Sequence, residues 1–141
     1  MKFTKANHND YIYMLVRKLV YVASRDDLPD LPDLPKEVIS KLDRGKAHLF
    51  IGERCGAVLE VDHEDNEIVM YVVFGWSDNG HGISDYINAY YQLAKDVGAK
   101  RIVSLARRAG VYRLWRAHGF KKVGYNEQGL IRFEKRLVNN E

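Results

Sequence analysis

The chain has 141 residues, 46% hydrophobic and 29% charged, and its 22 Lys plus Arg against 19 Asp plus Glu leave a net charge of +3. That mix is one soluble globular domain (1–141) rather than a disordered chain, and so small an excess does not argue for a nucleic-acid coating protein. A single cysteine, Cys55, excludes an internal disulfide framework and cysteine-based zinc motifs, no apolar run approaches the roughly 20 residues that span a bilayer, and the N-terminus MKFTKANHND lacks a secretory apolar core, so a cytoplasmic setting is expected.

Met1 to Ala6 reads as a short strand. Asn7 or Asn9 can cap a helix carrying Tyr11, Met14, Leu15, Leu19 and Val22 at helical spacing, a pattern lost at Ser24 to Asp27. A three-fold LPD repeat runs to Pro35; its prolines at period three favour an extended path. A short helix, Lys36 to Asp43, follows. The period then changes to two. His48 to Glu53 and Ala57 to Val61 read as a hairpin about Arg54-Cys55-Gly56, and Asp62 to Asn66 as a polar turn. Glu67 to Phe74 is a strand whose apolar centre predicts burial on both faces. After a glycine-containing loop, Ile83, Ile87, Tyr90, Ala94 and Val97 mark a helix closed by Gly98. Arg101 to Ala106 is a strand, Val111 to His118 a short helix stopped by Gly119, and Lys121 to Tyr125 with Leu130 to Leu137 a strand pair. The result is a mixed α/β domain without internal duplication.

Chemistry concentrates where the buried strand meets the long helix. Ser77-Asp78-Asn79-Gly80-His81-Gly82 leads into a helix N-terminus, whose free amides and dipole favour an anion such as a pyrophosphate. The glycines allow close approach to the backbone, and His81 can donate to a phosphate. Asp78 and Asp85 oppose such a ligand. A plain turn is the alternative reading of this loop.

The stretches Glu67 to Gly82 and Arg101 to Phe120 resemble the core of the GNAT superfamily of N-acetyltransferases, with the order and spacing of elements followed over about residues 46 to 137. In that family a strand ending in an aromatic-Val pair leads into a loop of Arg or Gln, two variable residues, Gly, one variable residue, then Gly or Ala. Tyr71-Val72 followed by Ser77 to Gly82 is similar, as is Trp115-Arg116-Ala117-His118-Gly119-Phe120 to the family's terminal Tyr-to-Gly-Phe segment. The resemblance implies a single-domain GNAT-like fold, with a mixed, mostly antiparallel sheet flanked by helices. It implies acetyl-CoA as co-substrate, with Tyr71, Val72, Ser77, Asn79, Gly80, His81 and Gly82 holding it, and no metal. The acceptor it implies is a small amine or a protein amine.

The departures bear on catalysis. Ser77 stands where the family has Arg or Gln, Arg108 where many members have Asn, and Val111 where they have Ala. Trp115 stands where a Tyr commonly protonates the departing thiolate, and an indole N–H is no acid at neutral pH. Tyr112, one turn earlier, is the candidate acid; the alternative is that Tyr112 and Trp115 pack the helix onto the sheet. For the base, Glu67 leads and Glu60 on the neighbouring strand is a second candidate, with strand-end surface charges as the alternative. His63 is expected in solvent and His118 at a helix end, without a metal-binding pair.

Charge is segregated. Eight basic residues and no acidic ones lie between Lys100 and Tyr125, while Asp26, Asp27, Asp30 and Asp33 crowd the proline-rich loop. The basic stretch suits a coenzyme phosphate, an acidic protein surface or nucleic acid, the last ranked lowest for want of a base-reading motif; a solvated face is the alternative. The acidic loop suits a cationic amine or a basic peptide, or is a stiff connector. Small GNAT-like proteins also occur in bacteriophages, some as particle components. The second functional reading is therefore a catalytically lost binding protein with a protein partner or homo-oligomer, virion-associated if phage-encoded.

Overall fold

The computed structural model describes residues 3–25, 34–78, 82–106, 109–127 and 129–137, with 22–25, 82–86 and 109–111 described by backbone only. Strand β1 (Thr4–Ala6) ends at Asn7, the cap: its side chain accepts the Asn9 amide at 3.0 Å and opens a 3-10 turn over His8–Tyr11. The turn continues into α1 (Ile12–Arg25), and α2 (Leu34–Asp43) follows. α2 starts two residues before the expected Lys36, because Pro35 occupies its first turn, where no amide hydrogen is needed. The LPD stretch before Leu34 lies outside the described residues.

A meander comes next, of β2 (Ala47–Gly52), β3 (Cys55–Glu64) and β4 (Glu67–Ser77). Its turns are tighter than the sequence suggests. Arg54, Asp65 and Asn66 take positive φ of 58°, 53° and 64°, so Glu53-Arg54 and Asp65-Asn66 each reverse the chain in two residues. Cys55 and Gly56 are thereby strand residues, and Asp62 to Glu64 extend β3 instead of forming a polar turn. β4 likewise runs on to Ser77, paired with Cys55.

The remainder is α3 (Gly82–Asp96), β5 (Arg101–Ala106), α4 (Ala109–Arg116), β6 (Lys121–Tyr125) and β7 (Ile131–Arg136). Gly98, at φ 76°, ends the helical segment as expected; Val97 lies past the helix and is exposed rather than part of its buried stripe. α4 begins and ends two residues earlier than expected.

Among the described residues, seven strands form one sheet in the order β1-β2-β3-β4-β5-β7-β6. Every neighbouring pair is antiparallel except β4 with β5. On one face Met70 and Val72 pack with Tyr90 and Ala94 of α3, Trp115 of α4, and Phe120 and Phe133. On the other, Val58 and Phe74 pack with Leu15 and Leu19 of α1 and Val38 and Leu42 of α2. β4 is thus covered on both sides, which accounts for its nearly continuous apolar run. The architecture is the expected α/β one, a mostly antiparallel sheet between helices.

Candidate active site

β4 and β5 pair only from Val69 with Arg101 to Val72 with Ser104. β4 then continues along β3 to Ser77, and β5 along β7 to Ala106, so the two strands part over their C-terminal ends. The β3–β4 register shifts between Val58–Phe74 and Leu59–Val72, leaving Val73 as the extra residue of a bulge at the point of parting. Among the described residues, β4 has no strand partner on its β5 side beyond Val72. Such an edge offers main-chain donors and acceptors to an extended chain bearing amides. At its apex, Ser104 Oγ donates to the Val72 carbonyl at 2.8 Å. Gly75 lies along the open stretch, and a Cβ added there would sit 3.0 Å from Tyr90 Oη.

Ser77, half-buried, is the last residue of β4, and Gly82 the first of α3. Asn79, Gly80 and His81 lie outside the described residues. Asp78 is held twice: its amide donates to the Arg54 carbonyl at 2.8 Å, and its Oδ1 accepts from Lys18 Nζ at 2.6 Å. Of the two carboxylates expected to oppose an anion, Asp78 is therefore paired with a cation, and the side chain of Asp85 lies outside the described residues.

Val72 is buried in the α3–α4 core. Tyr71, by strand alternation, points to the opposite face. Its hydroxyl donates to Glu64 and accepts from Arg132 Nη1 at 3.2 Å. Burial, reinforced by Glu64, pushes that phenol's pKa up. Only the backbone at Tyr71 and Val72 therefore borders the opening. The Tyr71 hydroxyl belongs to a charged cluster around Arg101, which is only 6% exposed. Arg101 donates to Glu64 Oε1 at 3.3 Å, Glu67 Oε1 at 3.2 Å and Glu134 Oε2 at 3.1 Å. Arg132 Nη2 reaches Glu64 at 2.5 Å. Partial burial acts to raise the Glu64 pKa, but hydrogen bonds from Tyr71 and Arg132 and the charges of Arg132 and Arg101 outweigh it, and the net shift is downward.

Glu67 accepts from Arg136 at 2.8 and 3.0 Å as well as from Arg101. Those Arg136 bonds first, and then the two guanidinium charges, hold its carboxyl below the usual range. It lies six residues before Val73, about 20 Å along the strand. Glu60, by contrast, pairs across the ladder with Tyr71, beside the apex, and its carboxylate lies 2.7 Å from Lys41 Nζ of α2.

Trp115 is 5% exposed, stacked on Tyr90 with centroids 5.6 Å apart and edge-on to Phe120 at 4.8 Å. It is a core residue. Tyr112 leans on Phe133 at 5.6 Å, and its hydroxyl accepts the Lys122 amide at 2.9 Å, which leaves its own hydrogen to donate. His63 is exposed, and His118 lies beyond α4 with its carbonyl accepting from Lys135 Nζ at 2.9 Å. No group of three or more His, Cys, Asp or Glu among the described residues could hold a metal ion, and no described helix is long and apolar enough to cross a membrane.

Sequence reasoning missed two features of this region. Arg101 was assigned to a basic surface, but its carboxylates lie 33 to 37 residues away in the chain. The Lys18–Asp78 pair spans 60 residues. Neither leaves a local signal.

No family model matches the chain, and no curated protein is significantly similar to it. Solved structures are similar over nearly the whole chain. A GNAT-family acetyltransferase from Streptococcus agalactiae superimposes with a TM-score of 0.66 at 13% identity, over 98% of this chain and 96% of that one. An acetyltransferase from Thermus thermophilus gives 0.66 at 14%, over 97% and 98%. A chain of the NatC complex bound to Gag peptide and CoA gives 0.61 at 14%, over 98% and 100%. The fold is that of the GNAT acetyltransferases.

Proposed function

We propose that this GNAT-fold chain is an acetyl-CoA-dependent N-acetyltransferase acting by direct transfer to an amine. The observation that carries this is the parting of β4 and β5 after Val72–Ser104, which leaves the edge of β4 open beside the start of α3. The pantetheine arm of acetyl-CoA is an extended chain with two amides, and it suits addition along that edge. The pyrophosphate suits the loop from Ser77 to Gly82 and the α3 amides. Residues Asn79, Gly80 and His81 are assigned to that loop from the motif.

In the reaction the acceptor nitrogen attacks the thioester carbonyl, the C–N bond forms, the C–S bond breaks and the thiolate leaves. Glu60, 2.7 Å from Lys41 Nζ and beside the apex, is the base proposed to take the ammonium proton. Glu67, the leading candidate from sequence, is instead assigned to holding Arg101 and Arg136. Tyr112, the candidate acid from sequence, bonds the Lys122 amide of β6, two strands beyond β5 and about 10 Å from the opening, and is assigned to packing; the departing thiolate takes its proton from solvent. The acceptor is a small amine or a protein amine. Titration calorimetry with acetyl-CoA, repeated on Gly82→Trp, tests the site: micromolar binding abolished by the indole supports it. Equal affinity in the two proteins overturns it.

A second reading, a GNAT-fold protein that binds without transferring acetyl, is favoured by the burial of Trp115 at the usual acid position. Release of free thiol from acetyl-CoA with an amine present decides against it.

A further inference from the structure

The geometry assigns to Lys18 the task of neutralising Asp78 at the exit of β4, so that an anion is tolerated at the start of α3. This rests on the acetyl-CoA reading above. Ser77 brings no charge to that exit, and Asp78 brings the wrong one. Lys18, in the middle of α1, sets its Nζ 2.6 Å from Asp78 Oδ1 and so cancels that charge at the exit of β4. The cation is supplied through space, from another element, rather than by the residue that opens the loop.

The arrangement is held from several sides. The Lys18 ammonium lies 5.7 Å from the centre of the Trp76 ring. Trp76 stacks on Phe74 at 5.9 Å and lies across Gly56, where an added Cβ would come within 2.2 Å of the ring. The Asp78 backbone is tied to the Arg54 carbonyl. The Lys18 and Asp78 side chains are 25% and 53% exposed, so the pair contributes little to stability. Its effect is on local charge. With Lys18 the pair is neutral; without it an uncompensated carboxylate stands four residues before the first residue of α3, where the pyrophosphate would lie.

The test compares wild type, Lys18→Met, Asp78→Asn and the double variant by calorimetry. Each is titrated with acetyl-CoA and with acetyl-pantetheine, which keeps the thioester arm and carries no phosphate. Methionine preserves the aliphatic stem over Trp76. Lys18→Met should weaken acetyl-CoA binding about tenfold at low salt, and the loss should shrink as salt rises. Asp78→Asn should bind no more weakly than wild type, and the double variant should return to within about threefold of it. Acetyl-pantetheine affinity should not change. A Lys18→Met loss shared equally by both ligands, or persisting in the double variant, marks a structural role and overturns the assignment. Unchanged acetyl-CoA affinity in Lys18→Met overturns it while leaving the acetyl-CoA reading intact. A wild-type protein that binds neither ligand brings down both.

Discussion

Ser104 Oγ donates to the Val72 carbonyl at 2.8 Å, on the last rung that β4 and β5 share. Both residues are buried. Ser104→Ala is expected to cost about 1–2 kcal/mol in urea denaturation, because the carbonyl loses this donor. It should also weaken acetyl-CoA binding, since this bond sits at the apex of the proposed cleft. Full stability in Ser104→Ala would show that the carbonyl is satisfied without the hydroxyl.

The two glutamates separate by readout. Glu60→Gln should lower kcat by about a hundredfold with little change in KM for acetyl-CoA. Glu67→Gln should change kcat by less than about threefold while lowering the unfolding midpoint, because its partners are Arg101 and Arg136. The reverse pattern would return the base to Glu67.

Tyr112 and Trp115 are both expected to act through packing. Trp115→Phe should lose stability by about 1–3 kcal/mol through the emptied space beside Tyr90 and Phe120, with kcat within about twofold of wild type. Tyr112→Phe should lose about 1 kcal/mol with the Lys122 amide bond and keep thiol release within about threefold of wild type. Thiol release slowed tenfold or more in Tyr112→Phe would return the acid role to that residue.

The Arg101 cluster sets an acid limit on stability. The Glu64 and Glu67 pKa values are lowered on folding from an ordinary 4.5. Their contribution is therefore complete above that value and is lost as pH falls through the lower folded values. Arg101→Met should cost about 2–3 kcal/mol at neutral pH by leaving three carboxylates without their shared partner. Below the ordinary carboxyl range its stability should fall less steeply than that of wild type. Urea midpoints measured across the two pH ranges give both quantities, and parallel acid limbs in the two proteins would disprove the coupling.

Gly56 is expected to tolerate no side chain. Gly56→Ala brings a methyl against Trp76 and should destabilise by about 1–3 kcal/mol, with a red shift in tryptophan emission as the ring is displaced. An unshifted spectrum at wild-type stability would contradict the contact.

The order of elements could be read from the sequence because periods of 3.6 and 2 are local properties. Strand lengths could not. Asp62, His63 and Glu64 look like a turn by composition, but pairing with Glu67 to Val69 carries them into β3. Pro35 looked like a helix breaker and is a first-turn residue. The Tyr71-Val72 motif falls on the last rungs that β4 and β5 share, but the opening depends on which rungs pair, and no residue type encodes that. Arg101 and Lys18 acquire their roles from partners tens of residues distant, so a reading along the chain sees only their charge.

The parallel seam also has a kinetic consequence. β2, β3 and β4 follow one another as hairpins, as do β6 and β7, whereas β4 meets β5 only after α3 has been traversed, over four rungs. Contacts of such separation close late, once the local hairpins exist. A ligand lying along the seam would splint two parts of the sheet that form independently. It should slow unfolding far more than it speeds folding, so the site's occupancy would govern how long the native state persists once formed.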